Sequence, residues 1–197
     1  MGKIFYIMGK SASGKDTVYH RLCDDKSLGL HTVTLYTTRP RREGETDGVE
    51  YHFINDGEAE KLEQQGLIIE LRAYHTVHGI WKYLTADDGQ ICPGEQDYLM
   101  IGTLESYKKM REYFGKELLV PIYIEIEDGE RLIRAVKREQ KEPQPRYAEL
   151  CRRFLADSED FSEEKLAECG INEKFENREL EACIQKVKLF ISNRINT

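Results

Sequence analysis

Gly9, Gly14 and Lys15 stand at the spacing G-x-x-x-x-G-K, within the run Gly9-Lys10-Ser11-Ala12-Ser13-Gly14-Lys15-Asp16-Thr17. Glycines let a backbone turn its N–H groups inward on phosphate oxygens. A helix starting at Lys15 adds partial positive charge, and the lysine itself reaches the outer phosphates. Apolar residues precede the run and a helical pattern follows it, so Gly9 to Thr17 form a candidate site for a nucleoside triphosphate. The residue after such a lysine ordinarily places a hydroxyl on Mg²⁺. Here it is Asp16, whose carboxylate is a hard oxygen ligand. Two roles are open to it: contact with Mg²⁺, directly or through water, or capping the helix N-terminus while Thr17 serves the metal.

A second constellation lies in YTTRPRREGETDGVEYHFI, residues 36–54. Arg39, Arg41 and Arg42 on a turn-rich segment suit forked contact with a phosphate dianion, and Tyr51 adds a neutral donor. This block closely resembles the guanylate kinase family, whose signature reads T-T-R-x-x-R-x-G-E-x-D-G-x-x-Y-x-F. Thr37, Thr38, Arg39, Arg42, Gly44, Glu45, Asp47, Gly48, Tyr51 and Phe53 fill it position by position. The resemblance implies an ATP- and Mg²⁺-dependent kinase that converts a nucleoside monophosphate, GMP before others, to the diphosphate. It also implies that Arg39, Arg42 and Tyr51 hold the acceptor phosphate, that Glu45 orients the arginines, and that Glu70 reads the guanine edge. ERLIRAVKRE and RYAELCRRFLADSEDF look like the family's lid and flanking helices. Arg134, Arg138, Arg152 and Arg153 fall near its lid arginines, which neutralise charge on the transferring phosphoryl group. Lys15, Arg134, Arg138 and Arg153 are thus the expected catalytic residues. INEKFEN resembles the last strand and adenine-side loop, bringing Asn177 to the donor base.

The acceptor-base side departs from the family. Leu35 stands where a small hydroxyl residue is expected, four positions before the first signature arginine. His78, Gly79 and Ile80 are read at the place of a Tyr-Gly-(Ser/Thr) turn, with one residue fewer after Glu70. Met100 and Gly102 replace acidic residues. Glu70 then remains to read guanine, with His78 able to give the phosphate a hydrogen bond. Lost polar partners cost discrimination. Two other readings follow: a ribose 1,5-bisphosphate phosphokinase, a group that also carries a GKD loop, or a non-catalytic guanylate kinase-like module binding phosphorylated partners.

The elements that must position these residues alternate in kind. Strands are expected at 3–8, 31–35, 97–103, 118–126 and 171–175. Helices are expected at 15–23, 57–65, 104–114, 128–140, 147–160 and 178–193. Strand–helix alternation predicts a three-layer α/β fold of the P-loop NTPase type around a parallel sheet. One domain is expected, with core 1–35 and 89–197, an acceptor-binding insertion at 36–88 and a small lid at about 138–150. The 197 residues are 40% hydrophobic and 33% charged, which suits a packed core. A net charge of −7 argues against nucleic acid as partner. No apolar run approaches the ~18 residues of a membrane span, and MGKIFYIM reads as a strand and not as a signal peptide. The five cysteines are scattered with no CxxC, the pattern of reduced thiols in a cytoplasmic protein. A monomer or homodimer is expected.

Overall fold

The computed structural model describes residues 2–76 and 79–195. Its centre is a parallel sheet built on β1 (Ile4–Met8), all five of whose residues are buried. β1 lies between β7 (Tyr98–Ile101) and β8 (Leu119–Glu125); β2 (His31–Thr32) and β9 (Lys174–Glu176) close the edges, giving the order β2-β7-β1-β8-β9. Alternation along β1 divides the core. Ile4, Tyr6 and Met8 pack with α3 (Leu104–Phe114) and α6 (Glu163–Glu168), through Leu104, Tyr107, Met110 and Leu166. Phe5 and Ile7 face α1 (Lys15–Cys23) and α7 (Leu180–Ile195), through Val18, Leu22, Ile184, Val187 and Ile191. Each such side chain contributes about 1.5–3 kcal/mol by leaving water, so the strand that leads into Gly9 is firmly anchored.

Residues 36–86 form a second sheet, ordered β4-β3-β6-β5 from β4 (His52–Phe53), β3 (Tyr36–Thr37), β6 (Gly79–Ala86) and β5 (Ile68–Thr76). α2 (Asp56–Gln64) packs on it through Ala59 and Leu62, its start fixed by a capping box between Asn55 and Glu58. The long β5/β6 hairpin lies within the insertion expected at 36–88, where no strand was expected. Its register pairs Glu70 with Thr85 and Arg72 with Tyr83. β2 is shorter than the 31–35 expected, because the chain turns off toward β3. α6 was not expected at all, and the last strand begins three residues later than the pattern suggested.

α4 (Asp128–Glu139) and α5 (Tyr147–Asp160) form a helical pair joined by residues 140–146, where Pro143 and Pro145 exclude helix continuation. Among the described residues no helix is long and apolar enough to cross a membrane.

Candidate active site

The glycine loop runs from the end of β1 into α1. Gly14 takes φ +88°, a left-handed conformation that disfavours a side chain, and a Cβ there would lie 2.2 Å from Asn177 Nδ2. That amide donates to Ser13 O at 2.8 Å in a buried contact. Asn177 N in turn donates to Glu125 O at 2.8 Å, so β8 and the segment after β9 hold the loop from behind. At Gly9 a Cβ would meet Ile124 O at 2.4 Å. Lys15 Nζ lies 3.0 Å from the Asp16 carboxylate, which is 71% exposed, and Thr17 is exposed beside it. Ser13 Oγ is buried without a hydrogen-bond partner among the described residues.

The signature arginine Arg39 is 4% exposed. Its fork meets Glu45 at 2.8 Å (Nη1 to Oε2) and 2.7 Å (Nη2 to Oε1), and Arg42 N donates to Glu45 Oε2 at 2.7 Å. These bonds hold Glu45 down at about 2 and keep the Arg39 charge secure, the Glu45 hydrogen bonds first and Tyr83 adding to them. The guanidinium sits over the rings of Tyr51 and Phe53, at 5.3 and 5.4 Å from their centroids. Tyr83 packs edge-on against Tyr51 at 5.7 Å. Arg39, Tyr51 and Tyr83 therefore form one cationic, hydroxyl-rimmed corner.

The arginines expected at the lid divide. Arg134 Nη2 donates to Asn177 O and Arg178 O at 3.0 and 3.4 Å, on the Asn177 side of the loop. Arg153 Nη2 reaches Ser11 Oγ at 3.3 Å. Arg152 is exposed and paired with Glu149. A cleft of ≈ 660 Å³ has Ser11, Arg42, Arg138, Arg146 and Arg153 on its walls. The glycine loop, the arginine-rich segment after β3 and the α4–α5 pair thus face one space.

Comparison with known proteins places these features. A family model described as guanylate kinase matches residues 1–80. Residues 1–80 are thus similar to guanylate kinases. A guanylate kinase of Neisseria gonorrhoeae is 41% identical over 88 residues, 45% of this chain and 40% of that one. A guanylate kinase of Mycobacterium tuberculosis is 39% identical over 75 residues, 38% of this chain and 36% of that one. The matched stretch therefore spans well under half of these curated relatives. The crystal structure of guanylate kinase from Anaplasma phagocytophilum superimposes with a TM-score of 0.63, covering 98% of this chain and 86% of that one at 20% identity. The fold of guanylate kinases therefore extends through the lid and α7, beyond the stretch where sequence similarity is seen.

Against the guanylate kinase pattern, the structure adds residues the sequence did not reveal. Tyr83 lies opposite Thr37 beside Arg39, and Thr85 Oγ1 donates to Glu70 at 2.9 Å, so the β5/β6 register sets both residues next to the expected acceptor residues. His78 itself lies outside the described residues, and Ile80 is exposed. Glu70 is buried and hydrogen-bonded to both Arg72 and Thr85. At the lid, Arg131 is 1% exposed and had not been singled out. It lies under the Phe154 ring at 3.8 Å, bonds Asp128 at 2.9 Å and approaches Asp157 at 3.4 Å. Asp157 accepts the Ser11 N–H at 2.8 Å. This pair struts α4 and α5 against the glycine loop.

Proposed function

We propose that this protein transfers the γ-phosphoryl group of ATP to GMP, forming GDP and ADP. The observation that carries the reading is the shared cleft, onto which Ser11 of the phosphate loop, Arg42 of the acceptor segment and Arg138, Arg146 and Arg153 of the lid all open. The triphosphate lies on the backbone N–H groups of Gly9 to Thr17, with Lys15 at its outer phosphates. Asn177 and Arg134 flank the donor base. The phosphate of GMP is held by Arg39, Arg42, Tyr51 and Tyr83, with Glu45 fixing the arginine fork, and Glu70 and Thr85 meet the guanine.

No protein nucleophile is needed, because the acceptor phosphate is already anionic. The chain's contribution is to hold acceptor oxygen and γ-phosphate in line, exclude water, and set positive charge where it develops. Asp16 and Thr17 are oxygen donors at the mouth of the loop, and the described residues contain no group of three or more His, Cys, Asp or Glu suited to a metal. Asp16 and Thr17, completed by phosphate and water, would hold Mg²⁺, which would supply charge neutralisation at the outer phosphates. Cytoplasmic residence accords with five cysteines that are all free thiols.

Lys15→Ala and Arg39→Ala test the reading together by steady-state kinetics. Lys15→Ala is expected to lower kcat by at least ~10²-fold, and Arg39→Ala to raise the KM for GMP with little change in that for ATP. Retained kcat in the first variant, or an effect of the second confined to ATP, contradicts the assignment.

A further inference from the structure

Strand β5 carries a buried ion pair that phosphate binding does not require. Glu70 and Arg72 lie two residues apart on β5, so both side chains leave the same face of the strand. Glu70 is 2% exposed. Arg72 Nε donates to Oε2 at 3.0 Å and Nη2 to Oε1 at 3.2 Å; Thr85 Oγ1, opposite on β6, donates to Oε1 at 2.9 Å. The guanidinium fork therefore covers both carboxylate oxygens. Among the described residues Nη1 makes no hydrogen bond.

The surroundings offer few other polar groups. Leu35 packs against the core and brings no hydroxyl. Met100 is buried. A Cβ at Gly102 would lie 2.1 Å from Tyr6 Oη, which is itself hydrogen-bonded to Ser106 Oγ at 2.7 Å. The Tyr6 ring thus fills the space a side chain at 102 would use. Burial opposes the Arg72 charge, but the Glu70 carboxylate beside it, with Tyr6 adding, more than offsets that and strengthens the charge.

We propose that Arg72 is a specificity residue of the acceptor site: guanine replaces its fork on Glu70, and the released guanidinium donates to guanine O6. This rests on the GMP reading above. A fork of two N–H donors on a carboxylate is the pattern that guanine N1–H and N2–H₂ present side by side, and O6 adjoins them as an acceptor. Guanine therefore gives Glu70 two donors and gives Arg72 an acceptor, so neither buried charge is left unpaired. Adenine presents a lone pair at N1, which faces the carboxylate unfavourably, and an amino group where Arg72 needs an acceptor. Both halves of the pair would then lose a partner, the situation in which polar sites reject a wrong ligand most strongly. Discrimination is thus built from Glu70, Arg72 and Thr85, in place of the hydroxyl and acidic residues absent at 35, 100 and 102.

The test is calorimetric titration of the full chain with GMP and with 6-thioguanosine monophosphate, which keeps N1–H and N2–H₂ but replaces O6 by a weak acceptor. The wild type is expected to favour GMP by about 10- to 100-fold, the range of a charge-assisted hydrogen bond. In Arg72→Met the preference is expected to fall to within about 2-fold, and Arg72→Lys to restore part of it. Thermal melts verify that each variant is folded, and a variant that has lost the fold is replaced by Arg72→Gln. An unchanged preference in a folded variant overturns the role of Arg72 while leaving the GMP reading intact. Failure of the wild type to bind GMP, with ATP still bound, overturns the GMP reading and the inference with it.

Discussion

Replacing Arg131 by methionine tests whether the lid and the phosphate loop are one mechanical unit. The side chain is 1% exposed, and it serves Asp128, Asp157 and Ser158 at once, at 2.9, 3.4 and 3.4 Å. Methionine keeps the apolar volume under Phe154 but removes the charge. Asp128 is 48% exposed and paired with Lys10, so water largely compensates its loss. Asp157 is 18% exposed and keeps only the Ser11 N–H. Stranding one partner of a buried pair costs about 3–5 kcal/mol, and the exposure of Asp128 points to the lower end, about 3 kcal/mol. For a chain of this size that lowers Tm by about 6–12 °C. Asp157→Asn retains an acceptor for Ser11 and should cost less. The two variants combined should lose less than the sum of the single losses, with coupling of about 1–3 kcal/mol. Calorimetric melts of the four proteins give the answer. A Tm loss below about 2 °C for Arg131→Met, or additive losses, would refute the strut.

Three further outcomes follow from the geometry. Gly14→Ala places a Cβ against Asn177 Nδ2 at a left-handed φ, breaking a buried hydrogen bond; the cost is about 2–4 kcal/mol, read as reduced Tm and weakened ATP binding by titration. Glu45 titrates at about 2 instead of 4.5, so its stabilisation is whole above pH 4.5 and drains away as pH falls toward 2. The Tm gap between wild type and Glu45→Gln should therefore be widest above pH 4.5 and close in acid; Trp81 fluorescence reports the same subdomain, and a gap independent of pH is the contrary result. Asp16→Ser should shift the Mg²⁺ concentration giving half-maximal ATP binding, measured by titration at fixed nucleotide; an unchanged midpoint assigns Asp16 to the helix terminus alone.

The first strand, the loop and α1 were legible because their signals are local: five consecutive apolar residues, two glycines at fixed spacing, and a helical pattern. The arginine block was legible for the same reason. The β5/β6 hairpin was obscured by its polar residues. Glu70 and Arg72 alternate with Leu71 and Ala73 in strand period, but their charges make the stretch look like surface chain, whereas the charged pair is buried against Thr85 of β6. Tyr83 and Thr85 could not be placed from sequence because cross-strand register, not residue counting, determines which residues meet Arg39 and Glu70. Arg131 and Asp157 lie on separate helices, and each reads as one charge among many on an amphipathic face. Packing α4 on α5 over the loop is what makes them partners, and no local pattern encodes it. Residues 81–197 carry the lid and α7, and there the fold comparison extends past the family match.

The central claim is tested most directly by incubating the protein with Mg²⁺ and ATP labelled at the γ-phosphate, with GMP, AMP, CMP, UMP or ribose 1,5-bisphosphate as acceptor. Labelled GDP formed in preference to every other product is the expected result. Label on the bisphosphate alone, or on none of these while ATP still binds, would contradict it.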